Sequence, residues 1–263
     1  MERLLSLFIL LGFSINVSSQ HAISYIANEG IYIQAENKKI LIDAIFDNYY
    51  ESYAAPSEKT IQQLNDKQDP FQNVDLLLVT HAHLDHFNAE MVSRFLKSHR
   101  ETELIGPKQA IDSIVKIRKD MEVLAPRLNG VESKTEWDAL FLKGVSVHTA
   151  YVRHGGKQNY DIDNQIYLIH VEGKKILHLG DAEMDPSHFS KLHLSKPPID
   201  VALIPYWFLA YPPGIDIVKN QIKPKKLVAI HYPKVGDPKT LLKIRETFPN
   251  AVVFMKEGQM IDF

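Results

Sequence analysis

Cysteine is absent from this chain of 263 residues. A chain without thiols forms no disulfides and carries no lipid on cysteine. It also offers no thiolate ligand, so any metal ion must be held by nitrogen and oxygen atoms.

An excess of charge of one sign is absent as well. The 30 basic and 32 acidic residues give a formal net charge of -2 at pH 7. The bulk charge therefore offers no attraction for a nucleic acid or an anionic membrane. Hydrophobic residues make up 45% and charged residues 24% of the chain, as in soluble globular proteins. We expect a small-molecule partner and no nucleic acid, while the oligomeric state stays open.

A long hydrophobic run occurs only at the N-terminus. Leu4–Phe13 follows Arg3 and is too short to span a bilayer comfortably. The small residues Val17-Ser18-Ser19 come next, a pattern typical of a secretory signal peptide cleaved after Ser19. A buried N-terminal helix is the alternative, although no helix cap lies nearby. We expect residues 1–19 to be a signal peptide and residues 20–263 a single domain, secreted or periplasmic, without stable membrane insertion.

The mature chain shows strand and helix patterns with no low-complexity segment. Hydrophobic runs predict strands at 22–27, 31–35, 39–42, 75–79, 145–151, 165–171, 175–179, 200–205, 227–230 and 252–255. Periodic spacing and caps predict helices at 57–66, 89–98, 107–119, 214–222 and 238–248. Segments 31–44 and 166–182 also resemble each other, because both are hairpins whose second strand leads to an Asp. Either hairpins with Lys-rich turns look alike in general, or the domain consists of two similar β-rich halves.

The most informative motif is His81-Ala82-His83-Leu84-Asp85-His86, which directly follows the apolar run Leu76–Val79. Imidazole nitrogens and carboxylate oxygens are common ligands of zinc and related metals. A strand that ends here can aim His81 and His83 at one point, while the loop turns Asp85 and His86 toward a second point. The spacing suits two metal ions with a water held between them as nucleophile.

Three further candidate ligands follow strands elsewhere in the chain. His154 precedes Gly155-Gly156, Asp181 follows Gly180, and His231 follows the apolar strand 227–230. His148 lies near His154 and is the alternative ligand. We favour His154, because it comes at a strand end before two glycines, whereas His148 lies inside the predicted strand.

Together these residues resemble the metallo-β-lactamase fold superfamily, whose five signature elements occur here in order. They are Asp43, the H-x-H-x-D-H motif, His154, Asp181 and His231. The resemblance implies an α/β fold, an αβ/βα four-layer sandwich with the site at one edge. It also implies two divalent ions, zinc first with manganese or iron as alternatives. The implied ligands of the first ion are His81, His83 and His154, and those of the second are Asp85, His86 and His231. Asp181 would bridge both ions, and Asp43 would orient the ligands.

Finer features of the resemblance concern the substrate. A bridging Asp181 is similar to the lactonases, thioesterases, phosphodiesterases and nucleases of the superfamily, and counts against β-lactam hydrolysis. Residues 227–232 resemble the ascorbate-6-phosphate lactonase-like branch. Leu84 stands where the tRNA-processing nucleases usually carry Gly, which again disfavours a nucleic-acid substrate.

These features predict a secreted metal-dependent hydrolase that acts on an ester, lactone or phosphoester. Asp85 is the candidate catalytic residue, since it can orient the nucleophile as well as bind metal. Tyr206, Trp207 and Tyr151 are candidate substrate contacts, because residues at strand ends often line sites. The alternative is that they are ordinary packing aromatics. A non-catalytic metal- or ligand-binding protein on the same fold and a β-lactamase are the alternatives.

Overall fold

Two seven-stranded sheets face each other in the computed structural model of the protein. The structure describes residues 21–117, 121–196 and 198–263. The predicted signal peptide, residues 1–19, lies outside the described residues. Within the described residues, no helix has both the length and the apolar character needed to cross a bilayer.

The first sheet combines antiparallel strands near the start of the chain with parallel strands that follow them. Its order is β14-β1-β2-β3-β4-β5-β6, and the β3–β4, β4–β5 and β5–β6 pairs are parallel. Its strands are β1 (Ala22–Ala27), β2 (Gly30–Ala35), β3 (Lys38–Ile42), β4 (Leu76–Leu78), β5 (Glu103–Pro107), β6 (Leu128–Val131) and β14 (Met260–Asp262).

The second sheet repeats this plan. Its order is β13-β12-β11-β10-β9-β8-β7, with antiparallel pairs up to β10 and parallel pairs from β10 to β13. Its strands are β7 (Asp138–Leu142), β8 (Val145–Tyr151), β9 (Gln165–Val171), β10 (Lys174–His178), β11 (Val201–Pro205), β12 (Lys226–Ile230) and β13 (Val252–Val253). The hairpins β2–β3 and β9–β10 therefore occupy equivalent places, as the sequence similarity predicts.

Helices cover the outer face of each sheet. Those connecting strands of the first sheet are α1 (Glu58–Asn65), α2 (Ala89–Ser98), α3 (Lys108–Ile117) and α4 (Met121–Leu124). Those connecting strands of the second are α5 (Pro186–Ser190), α6 (Tyr206–Ala210), α7 (Pro212–Asp216) and α8 (Pro238–Thr247). The predicted cap is present at α2, where the Asn88 side chain accepts hydrogen bonds from the first-turn amides of Glu90 and Met91.

Three buried clusters give the four layers. The central one joins both sheets, for example Ile31 and Leu78 with Tyr167 and Val228. One outer cluster packs the first sheet against α1, α2 and α3. The other packs the second sheet against α5, α6, α8 and the helical segment Ile217–Ile222. This is the predicted α/β sandwich, αβ/βα in order, since each sheet buries both faces.

Several predicted boundaries shift in the structure. Helix α3 begins at Lys108 because Pro107 ends β5, and the predicted last residue, Lys119, lies outside the described residues. The helix predicted over 214–222 begins earlier, at Pro212, and continues as a π-helical segment, Ile217–Ile222. Strands β5, β6, β7 and β14 were not predicted. They are short and, apart from β7, pair with strands distant in sequence, so local periodicity carries little signal for them.

The sheets approach each other closely at the edge where β4 and β10 end. Tyr167 Oη donates to the carbonyl of Val79 (2.7 Å), and the Gln165 amide donates to the carbonyl of Thr80 (2.8 Å). Gly180 follows β10 with φ +54°, and a Cβ atom there would lie 2.8 Å from Thr80 Cβ and against Asn164 Oδ1. A side chain at this position would therefore push the two sheets apart.

We predict that Gly180→Ala lowers the free energy of unfolding by about 1–3 kcal/mol more than Gly173→Ala does. Both glycines have positive φ, but a Cβ at Gly173 would meet nothing within 4 Å. The energetic cost of a positive φ in alanine is therefore common to both variants and cancels. The remaining difference in unfolding free energy measures the steric clash between the sheets at Gly180. Denaturant unfolding of both variants tests this, and equal losses would contradict it.

Candidate metal centre

The carboxyl ends of strands from both sheets meet at this edge and supply the candidate ligands. Thr80 and His81 come just after β4, His154 follows β8, Asp181 follows β10, and His231 immediately follows β12. The loop after His81 folds back through hydrogen bonds from the amides of residues 86 and 87 to the carbonyl of residue 83. The topology therefore gathers ligands from distant parts of the chain.

One group consists of His81, His83, His154 and Asp181, whose ligand atoms lie within 4.8 Å of one another. His81 Nε2 is 3.2 Å from His83 Nδ1 and 3.3 Å from His154 Nε2. Asp181 Oδ2 lies 3.3 Å from His154 Nε2 and 3.9 Å from His81 Nε2. These spacings leave room for one ion among the four side chains.

The second group consists of Asp85, His86 and His231, with Asp181 beside it. His231 Nε2 and His86 Nε2 each lie 3.8 Å from Asp85 Oδ2. Asp181 Oδ1 is 3.3 Å from His231 Nε2 and 3.6 Å from His86 Nε2. The two oxygens of Asp181 thus face different groups, which is the arrangement a bridging carboxylate requires.

Asp43 holds the ligand loop from behind. Its Oδ1 accepts the Thr80 amide (2.8 Å), and its Oδ2 accepts both Thr80 Oγ1 and His86 Nδ1 (3.0 Å). Since Thr80 Oγ1 donates to Asp43, it is left to accept from His81 Nδ1 (3.0 Å). Asp43 itself has φ +44°, a conformation that costs energy in a non-glycine residue.

These hydrogen bonds select the tautomers of three histidines. His81 and His86 donate from Nδ1, and His154 Nδ1 donates to the Gly155 carbonyl (2.7 Å). A neutral imidazole that donates from Nδ1 carries its lone pair on Nε2. In all three residues, Nε2 faces the site. The Nε2 atom of His86 also lies 3.4 Å from Asn28 Nδ2, as does that of His231, so a metal ion bound there would displace the Asn28 amide.

The structure distinguishes between His154 and His148. His154 joins the first group, whereas His148 Nε2 contacts Ser146 Oγ (3.2 Å) and its ring lies against Trp137 and His170. His148 belongs to the body of β8, so its side chain is held away from the strand-end edge.

Burial and charge set the protonation of the site. Burial, with the nearby His86, holds the pKa of His81 well below its usual value, and burial with His154 lowers the pKa of His83. Burial also lowers the pKa of His86, but Asp181, Asp85 and Asp43 outweigh it and raise that pKa well above its ordinary value. Burial raises the pKa of Asp181, yet His231 and His86 hold it well below its usual range.

The donor set fits divalent ions. Asp181 Oδ1 is buried without a hydrogen-bond partner although imidazole nitrogens surround it. The lone pairs of several imidazole nitrogens and carboxylate oxygens point toward the same small space. These electron-rich atoms repel one another unless a cation or protons lie between them. A proton on His86 would compete with metal for Nε2, so metal binding should release it.

A cavity of about 720 Å³ opens onto both groups. Tyr50, Tyr53, Met184, Trp207 and Pro213 form much of its apolar wall. Asp85, His83, His154, Asp181 and His231 are also among the lining residues, so the candidate centre is open to a ligand.

The three predicted substrate contacts differ in position. Trp207 lines the cavity, and its ring lies 5.1 Å from the His231 ring. Tyr206 does not line it, because its ring packs against Trp207 and Tyr232. Tyr151 is also absent from the lining, because it is the last residue of β8 and precedes the turn that brings His154 to the site.

Three residues at the site were not predicted from the sequence. Asn28 Nδ2 donates to the carbonyl and Oδ2 of Asp85, both at 3.1 Å. The Tyr53 ring meets the His231 ring edge-on at 4.3 Å between centroids. Glu29 lies fully buried beside the ligands. Asn28 and Glu29 lie in a hairpin turn, and Tyr53 lies in a loop. The one sequence feature that could have pointed to any of them is the polar pair Asn28-Glu29 between two apolar strands.

We predict that Asp43→Asn lowers the affinity for divalent metal by about 10- to 100-fold, the usual cost of removing a group that orients a ligand. An amide accepts on only one of its two atoms, so it cannot keep the three hydrogen bonds that Asp43 accepts from Thr80 and His86. Competition with a coloured chelator measures the affinity. Asp75→Asn is the control, because Asp75 accepts the Lys39 amide (2.9 Å) at the opposite end of the β3–β4 pair. Equal effects of both substitutions would contradict the prediction.

Comparison with known proteins agrees with this geometry. A family model described as a beta-lactamase superfamily domain matches residues 22–230. The chain is 28% identical over 256 residues to a UPF0173 metal-dependent hydrolase of Pyrococcus abyssi, covering 91% of this chain and 98% of that protein. It is 27% identical over 223 residues to a UPF0173 metal-dependent hydrolase of Staphylococcus aureus, covering 80% and 85%.

A solved structure has the same fold. It is that of a metallo hydrolase from the archaeon Ignicoccus hospitalis, with a TM-score of 0.59 and 17% identity, covering 93% of this chain and 98% of that one. The family match, the curated relatives and the His/Asp cluster together identify the chain as a member of the beta-lactamase superfamily, a metal-dependent hydrolase with the metallo-β-lactamase fold.

Proposed function

We propose that the protein uses two divalent metal ions to activate water for attack on a neutral ester or lactone of small size. The observation that carries this proposal is the division of seven nitrogen and oxygen ligands into two groups that share Asp181. The first ion would be held by His81, His83, His154 and Asp181, and the second by Asp85, His86, His231 and Asp181.

Bound divalent ions would lower the pKa of a coordinated water and polarise the substrate carbonyl. The imidazole-rich first group favours zinc, with manganese or iron as alternatives. Asp85 lines the cavity, and its Oδ2 accepts a hydrogen bond from Asn28 Nδ2, so its carboxylate is fixed in position. From there it would orient the attacking water and accept its proton.

The cavity wall supports a carbonyl substrate. Tyr50, Tyr53 and Trp207 offer apolar surface, and no Lys or Arg lines this cavity in the described part of the chain. The negative charge of a phosphoester would have to be neutralised by the metal centre alone. We therefore consider a phosphoester a less favoured substrate than an ester or lactone. The likeness of residues 227–232 to the ascorbate-6-phosphate lactonase-like branch supports a lactone, but the wall offers no cation for a phosphate group.

Tyr53 is the best candidate for a proton donor to the leaving group. Its ring lies against His231, and burial together with the nearby Tyr206 raises its pKa to about 12. The phenol therefore keeps its proton at neutral pH. Tyr206 would support this wall from outside the cavity rather than contact the substrate.

The alternatives have less support. A member of the fold that has lost catalysis would be expected to lose ligands, whereas all seven are present and grouped beside an open cavity. For β-lactams, the sequence resemblance already counts against turnover, because Asp181 stands at the bridging position. Both alternatives are outcomes of the same experiment.

We predict that the metal-loaded protein hydrolyses lactones or esters faster than phosphoesters and β-lactams, and that Asp85→Asn reduces kcat by several orders of magnitude. The amide can neither bind the second ion as a carboxylate does nor accept a proton. A substrate screen followed by kcat measurement tests both statements, with metal content measured in parallel.

Asp200→Asn is the control for that substitution. Asp200 accepts the Lys175 amide (2.9 Å) at the start of β10, far along the strand from the site, so its loss should leave kcat unchanged. Near-normal turnover in Asp85→Asn would exclude the proposed mechanism. A protein with two bound ions and no turnover of any class would instead favour the binding-protein alternative.

We also infer that the mature protein is exported. The support is the signal-peptide pattern of residues 1–19 together with the start of the family match at residue 22, just after the proposed cleavage site. N-terminal sequencing of the protein from its native host should find Gln20 as the first residue. A product that begins at Met1 and stays in the cytosol would contradict export.

A further inference from the structure

Glu29 is an acidic residue whose surroundings the seven-ligand site does not explain. It lies in the turn between β1 and β2, next to Asn28, and is fully buried. Both of its carboxylate oxygens are buried without a hydrogen-bond partner. Removing a carboxylate from water is unfavourable unless the carboxylate is paired or hydrogen-bonded.

The nearest imidazole outside the ligand groups cannot satisfy this carboxylate. His178 Nδ1 lies 4.0 Å from Glu29 Oε2, but it already accepts the Gly180 amide (3.1 Å). The proton of His178 is on Nε2, which donates to the backbone carbonyl of Glu29 (3.1 Å). Within the described ranges, no Lys or Arg forms an ion pair with Glu29.

The ligands of the second ion lie close by. One oxygen of Glu29, one nitrogen of His86 and one oxygen of Asp181 all lie within 4.8 Å of one another. Asp43 also lies close to Glu29, in a group with His178. A cation held by His86 and Asp181 would stabilise the carboxylate form of Glu29.

We propose that Glu29 is a further ligand of the second metal ion, beyond the seven residues assigned above. The inference rests on the proposed two-metal centre and extends it. The first ion would then have three imidazoles and the shared Asp181, whereas the second would have His86, His231 and the carboxylates of Asp85, Asp181 and Glu29. Carboxylate-rich sites suit manganese and related hard ions, whereas imidazole-rich sites suit zinc. The two positions would therefore differ in the metal they prefer.

Metal titration of the full metal-free protein tests this assignment. Mn²⁺ and Zn²⁺ are titrated separately into the wild type and Glu29→Gln, with Mn²⁺ followed by its electron paramagnetic resonance signal. We expect Glu29→Gln to lose at least about tenfold in Mn²⁺ affinity at one of two sites, while Zn²⁺ binding at the imidazole-rich group is unchanged. Glu257→Gln is the matched control, because Glu257 is exposed and accepts from the hydroxyl of Ser57 (3.1 Å). It should bind both metals as the wild type does.

Equal Mn²⁺ affinity in the wild type and Glu29→Gln would overturn the proposal. A crystal structure of the Mn²⁺-loaded wild type gives an answer that does not depend on the variant folding. A Glu29 oxygen at about 2.2 Å from the second ion, an ordinary metal–oxygen bond length, supports the assignment. A separation beyond about 3 Å overturns it. In that case two bound ions and intact hydrolysis would leave the proposed function standing, whereas an empty pair of ligand groups would overturn both.

Discussion

Asp181 divides its two oxygens between two groups of imidazoles, and the rest of the site is arranged around this division. One oxygen faces His154 and His81, the other His231 and His86. Burial makes the negative charge of a carboxylate costly, and the histidines around it make the charge tolerable. The burial of these side chains therefore depends on positive charge at the centre. In the absence of metal, protons on the histidines provide this charge, and on our proposal metal ions replace them.

The fold maintains this charged cluster by bringing rigid strand ends together. Asp43 follows β3 and contacts Thr80 and His86, both of which lie in the segment that follows β4. The positive φ of Asp43 and of His231 shows that the backbone is bent into unfavourable conformations at two of these ends. Such strain persists where the surroundings fix the chain firmly, and here the two packed sheets do so.

The grouping of the candidate ligands was predictable because each follows a hydrophobic strand, and parallel strands bring their carboxyl ends to one edge. His154 could be chosen over His148 for the same reason. The position of Tyr206 could not be predicted, because α6 begins directly at this residue and turns its ring toward Tyr232. Asn28, Glu29 and Tyr53 come from a turn and a loop, whose path depends on the packing of both sheets and leaves no periodic signal.

The two equivalent hairpins, β2–β3 and β9–β10, also divide the ligands between the halves of the chain. The half that contains the first hairpin provides the H-x-H-x-D-H motif, and the other half provides His154, Asp181 and His231. Neither half alone carries a complete set of the proposed ligands, so metal bound at this centre would require the two halves to be packed together. A substitution in the central core, far from any ligand, could thus first be noticed as weakened metal retention. The amount of metal that the protein retains would then measure how stably the two halves pack together.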